Sequence, residues 1–145
     1  MTAETLETAP PNAEEVVVAW LADLGRAGVL RKPTDELPFR LVHRVSGADD
    51  VSEGFDEAVV SVHTFAAYMP GAIEAADATH QRMMYLAKNS LTNIELSDGT
   101  VANVDYCRTE EKPTYEDFKD PTVFRYVARY RLGLSFTTPA PLPGS

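Results

Sequence analysis

Alternation of apolar and polar positions is the dominant pattern in this chain, and it is cleanest over residues 122–136, TVFRYVARYRLGLSF. Phe124, Tyr126, Ala128, Tyr130, Leu132, Leu134 and Phe136 share one parity; Val123, Arg125, Val127, Arg129, Arg131, Gly133 and Ser135 share the other. A period of two sends the two sets to opposite faces of a β-strand. Unbroken, such a run at about 3.3 Å per residue reaches roughly 50 Å, well past the usual strand of about five or six residues. The aromatic and aliphatic face reads as core, while the other face carries three arginines. A strand of this length either bends, with Gly133 the natural place, or reaches beyond its own domain to meet another chain.

The remaining segments are shorter. Asn12 is placed to cap a helix, with Glu15 three residues on completing a capping box. Val17, Trp20, Leu21 and Leu24 follow helical spacing, and Gly28 is the expected stop, with Val29 folded back onto Leu24. The valines at 16–18 lower helix propensity, so this helix depends on packing. A loop over 31–38 leads to a strand over 39–45. Residues 46–57, with two glycines and five acidic residues, read as a surface loop before a strand over 58–65. A second helix is expected over 71–88, its face marked by Ile73, Ala76, His80, Met83 and Ala87 and widened by Ala72, Ala75, Thr79 and Leu86. Small side chains there allow a close approach to a sheet or helix. Strands over 92–96 and 101–106 flank Ser97-Asp98-Gly99-Thr100, a hairpin signal. The stretch 109–121, TEEKPTYEDFKDP, reads as a charged loop carrying Tyr115 and Phe118. The expected order is α-β-β-α-β-β-β. That makes an α+β domain with an about five-stranded, largely antiparallel sheet and helices mainly on one face. Residues 1–11 form an N-terminal arm, 12–136 the core and 137–145 a proline-rich tail of one single domain.

Composition narrows the classes. The chain has 145 residues, 44% hydrophobic and 24% charged, which is ordinary globular usage. A net charge of -9 argues against general affinity for nucleic-acid phosphates or anionic membranes. The lone Cys107 excludes an internal disulfide and points to a reducing compartment. No apolar run has the length of a membrane span, and the N-terminus lacks the blocks of a signal peptide, so a product made in the cytoplasm is expected.

Chemistry is sparse. GxxxxGK, GxGxxG, CxxC, HExxH and GxSxG patterns are all missing. His43 and His63 fall on expected strands, where pairing with Cys107 or Asp105 would make a small hydrolase or ligand site. The simpler reading has them as polar residues on half-exposed strands. His80 reads as a hydrogen-bonded core residue, Met83 and Met84 as filler, and Cys107 as a small buried hydrophobe. No catalytic, cofactor-binding or metal residue is therefore expected. The arginine face is either solvated or an interface with acidic residues of a neighbouring subunit, the stretches 47–57 and 105–120 being candidate partners. Strand length favours the interface. Arg125, Arg129, Arg131, Tyr115 and Phe118 are its expected contacts.

Several stretches together resemble a known family: VVVAWL (16–21), LPFRLVHRVSGADD (37–50), AVVSVHTFA (58–66), ATHQRMMYLA (78–87), GTVANVDYCRT (99–109) and DPTVFRYVARYRLGLS (120–135). In this order, over residues 14–136, they resemble tail terminator proteins of long-tailed phages, closest to those of actinobacterial phages. The resemblance implies a small structural subunit, not an enzyme and without cofactor. It would form a homo-hexameric ring on the head-proximal end of the tail tube. Its partners would be itself, the tail tube protein and a head-completion or connector protein, with no membrane, and its place the virion. DNA would pass through the lumen without specific binding, which suits an acidic wall. Another head-tail joining protein, such as a head-closure component, is the nearest alternative.

Overall fold

The structure is a computed structural model and describes residues 11–50 and 55–138, with side chains described outside 46–56 and 136–138. The arm expected over 1–11 lies outside the described residues except for Pro11, and the expected tail lies outside them from residue 139 onward.

Helix α1, Ala13–Leu21, begins where expected, because the Asn12 side chain accepts the Glu15 backbone N–H at 3.1 Å. It buries Val16, Val17 and Leu21. It ends earlier than Gly28. A 3₁₀ turn, Ala22–Leu24, leads to Gly25 at φ 138°, a conformation that strains residues with a Cβ. The chain then turns into a short strand, β1, Arg26–Gly28. There follow β2 (Phe39–Asp50), β3 (Phe55–Ala66), α2 (Met69–Lys88), β4 (Thr92–Glu95), β5 (Val101–Glu116) and β6 (Phe124–Thr138).

These strands form one six-stranded sheet in the order β1-β2-β3-β6-β5-β4. The β1–β2 pair is parallel and the other pairs are antiparallel. The sheet curls into a half-barrel, and 46% of the residues are strand. The expected α+β fold, with about five largely antiparallel strands in the order α-β-β-α-β-β-β, is therefore corrected to a mostly-β, mixed, curled sheet with two α-helices.

Each departure has a physical reason. Strand β1 is three residues long, too short for alternation to register, and only its parallel pairing with Phe39, Arg40 and Leu41 defines it. The acidic stretch 46–57 is mostly strand: Gly47, Ala48, Asp49 and Asp50 pair with Ala58, Glu57, Asp56 and Phe55. Within the charged stretch 109–121, residues up to Glu116 belong to β5 and pair with β6. Pro113, which argued for a loop, sits where the register shifts between Glu111 and Thr114, and a bulge is where a strand tolerates a residue without an N–H.

The main core cluster lies on one face of the sheet, while Phe39, Val59, Phe65 and Val127 are buried on the other. Val16, Val17 and Leu21 of α1 and Met83 and Leu86 of α2 pack with Val42, Val60, Val62, Ala128, Tyr130, Leu132 and Leu134. Helix α2 buries Ala72, Ala75, Ala76, Thr79, Met83 and Leu86, while Ile73, an expected face residue, is 45% exposed. The two helices are fastened to each other by reciprocal bonds. Trp20 Nε1 donates to the Arg82 carbonyl and Arg82 Nε donates to the Trp20 carbonyl, both at 2.9 Å, with the guanidinium 3.7 Å from the indole centroid. Arg40 is 2% exposed and donates to Thr79 Oγ1 at 2.7 Å and the Ala75 carbonyl at 3.2 Å, so a charge is buried at the sheet–helix contact. Among the described residues no helix is long and apolar enough to cross a membrane.

Candidate interface on the helix-free sheet face

The opposite face of the sheet carries the arginines. Alternation along β6 turns Arg125, Arg129, Arg131 and Gly133 away from the helices, and the register sets them in rows with β3 and β5. Phe65, Arg125 and Glu116 form one row; Ser61, Arg129 and Glu111 a second; Val59, Arg131 and Arg108 a third; Glu57, Gly133 and Tyr106 a fourth. The bulge between Thr109 and Glu111 leaves Glu110 beside the third row.

Each of the three arginines meets a carboxylate of its own chain. Arg125 lies 3.6 Å from Glu116 and Arg129 3.7 Å from Glu111, while Arg131 is 3.2 Å from both Glu57 and Glu110. The stretches expected to supply acidic partners do supply them, within the subunit. Glu110 first, and then Glu57, hold the Arg131 guanidinium charged above its ordinary value. These pairs are half-exposed, so each contributes little stability alone.

Gly133 has a definite role in the fourth row. An added Cβ would lie 2.3 Å from the Tyr106 ring, so the absence of a side chain lets that ring lie across β6. Tyr106 thereby donates its hydroxyl to Glu57 on β3, and Arg108 sits 5.1 Å over the same ring. The Tyr106 bond holds the Glu57 carboxyl below its usual range against the opposing effect of burial, with Arg131 and Arg108 adding to the lowering. Burial, and next Glu57, push the Tyr106 phenol up to about 12. Gly133 is thus where one side chain bridges three strands.

Phe118 caps one end of the face. Its ring meets Phe65 edge-on at 5.0 Å, Arg125 lies 5.1 Å over it, and Arg31 lies 4.6 Å over Phe65. Tyr115 is elsewhere: it pairs with Tyr126, 5.8 Å away, on the face that α2 covers, where the Tyr126 hydroxyl meets Met69. Four of the five expected contact residues therefore share a face and the fifth does not. An open groove of about 510 Å³ runs among them, lined by Val45, Val59, Glu110, Glu111, Arg129 and Arg131.

The histidine pair is also on this face. His43 and His63 approach edge-on with centroids 6.1 Å apart, and His63 Nε2 lies 3.2 Å from Ser61 Oγ. Burial, then Arg125, His43 and Arg129, pull the His63 pKa down to about 4, so the imidazole is neutral near pH 7. Ser61 is 2% exposed, which keeps it from any substrate. Cys107 belongs to the core on the other face, and burial pushes its thiol up to about 12, far from a usable thiolate. Asp105 is engaged by Asn103 and by Ser135 Oγ at 3.1 Å. The structure thus unites the two histidines and separates them from both proposed partners. His80 bonds the buried Tyr130 hydroxyl at 2.8 Å. Among the described residues no three His, Cys, Asp or Glu side chains are arranged to hold a metal.

Among the described residues both sheet edges are partly open: strand β4 pairs only with Val101–Val104 of β5, and β1 only with Phe39–Leu41 of β2. The open part of β5 is broken by bulges and carries Lys112 and Pro113, which discourage strand addition. On the β2 side, Glu14 Oε2 accepts the Arg44 backbone N–H at 2.8 Å. No protein-family model matches this chain, and no curated protein matches it.

Proposed function

We propose that this chain is a structural virion protein of the neck. In this reading it caps the head-proximal end of a phage tail tube as a ring, stops tube polymerisation and offers the head-joining surface. The observation that carries the reading is the helix-free face, where Arg125, Arg129 and Arg131 stand in a column beside Glu111 and Glu116 on strands of 15 and 16 residues. A face of half-exposed paired charges is suited to reversible protein contact. The series of stretches over 14–136 that resembles tail terminators adds the specific role. A ring needs a heterologous contact that closes, and a subunit with one face left clear of helices has the surface for it.

The separation of Cys107 from His43 and His63 leaves the hydrolase reading without a geometry to favour it. The test is a phage lacking this protein. Tails of abnormal length are the expected result. Tails of normal length with heads left unjoined would overturn the terminator role and favour a head-closure role.

A further inference from the structure

Helix α1 touches both edge strands, β1 and β4, because the curl of the sheet brings its two edges round the helix. Between them lies a groove of about 320 Å³. It is lined by Val18 and Ala19 of α1, Gly28 of β1 with Val29 after it, and Leu96 and Ser97 at the β4–β5 turn. Val18 and Ala19 pack against the core and Leu96 belongs to it, so the groove continues the apolar interior outward. Val29, 40% exposed, and its neighbour Leu30, 78% exposed, leave more apolar surface open beside it. This groove is separate from the arginine face and does not depend on the virion reading.

We propose that the groove is a docking site for the chain's own segment 139–145, PAPLPGS, with Leu142 as its apolar anchor. Three observations favour this occupant. The first is where the described chain stops. Thr138 pairs with Val101, and Val101 with Glu95, so the segment leaves the sheet in the row that ends beside Leu96. Two strand spacings make that distance about 10 Å. Seven residues of extended, proline-rich backbone span about 22 Å, enough to cross the groove. The second is charge. Glu15 also lines the groove, and segment 139–145 carries no charged side chain. Residues 1–10, the other segment outside the described residues at a chain end, carry Glu4 and Glu7 and no basic side chain, so Glu15 repels them. The third is the cost of ordering. Pro139, Pro141 and Pro143 restrict the backbone before docking, so little conformational entropy is lost on binding. The short tether also gives this segment an effective concentration that a second copy in dilute solution does not match.

The experiment is methyl NMR on the full chain, reading nuclear Overhauser contacts from Leu142. Contacts from the Leu142 methyls to those of Val18, Val29 and Leu96 are expected within one chain. Leu142→Asp should abolish them and shift the signals of those three residues, because a carboxylate is not accepted in an apolar groove. Leu142→Met should leave the groove signals near their wild-type positions, as an apolar side chain of similar volume does. Unmoved signals from Val60 and Leu132 in the core show that both variants are folded. No contact from Leu142 to the groove overturns the proposal, as do groove signals that ignore Leu142→Asp. Contacts to the groove from Leu6 instead would make residues 1–10 the occupant and overturn it too. Contacts seen only between labelled and unlabelled chains in a mixture would show exchange between copies, which overturns docking within one chain. Phage tail length reports on the virion reading separately, so either idea can fail while the other stands.

Discussion

Gly133 and His63 show how single positions carry this face. Adding one methyl group at Gly133 drives a Cβ into the Tyr106 ring, which is itself held by Glu57 and Arg108. Gly133→Ala should therefore destabilise the fold by about 1–3 kcal/mol, as overpacking does. The cost should largely vanish in a Tyr106→Ala background, a coupling that urea unfolding of the single and double variants would read. If Gly133→Ala costs the same in both backgrounds, the ring is not what excludes the side chain. His63 sets a pH dependence of known sign. Its folded pKa, about 4, lies below its ordinary 6.5, so between those values the unfolded chain binds the proton more readily. Stability is fully present above pH 6.5 and falls as the pH drops toward 4, by about 2 kcal/mol once partial exposure is allowed for. Glu57, with its lowered carboxyl, adds a loss only at still lower pH. His63→Gln should flatten stability over the upper window; an unchanged pH profile would show that another group titrates there.

At the scale of elements, what was legible followed from how much pattern each element has room to display. The β6 alternation placed Ala128, Tyr130, Leu132 and Leu134 in the core and Arg125, Arg129 and Arg131 opposite, as the period requires. The Asn12 cap identified the start of α1. By contrast, β5 has four register shifts, and every inserted residue reverses the parity of those that follow, so Glu110, Glu111 and Glu116 show no common face in the sequence. The glycines and acids of 46–57 obeyed the usual rule for loops, but the neighbouring strands overrode local preference. In α2 the small residues hid the buried side: Ala72, Ala75 and Ala76 face the sheet while the larger Ile73 does not. The acidic stretches 47–57 and 105–120 were legible as partners of the arginines, but strand pairing alone shows which glutamates share their face.

The described residues form a curled sheet with the main core cluster and both helices on one side and a charge ladder on the other. The net charge of -9 is a sum that conceals this arrangement, since the ladder pairs its own charges and the acidic excess lies elsewhere. Trp20 gives this two-sidedness a practical meaning. It is the chain's one tryptophan, and it is clamped between the helices by Arg82 on the side away from the ladder. Its fluorescence is thus an optical gauge of helix docking that is blind to events on the charged face. Changes confined to the charged face should leave the emission maximum unmoved, while unfolding shifts it to the red as the indole meets water.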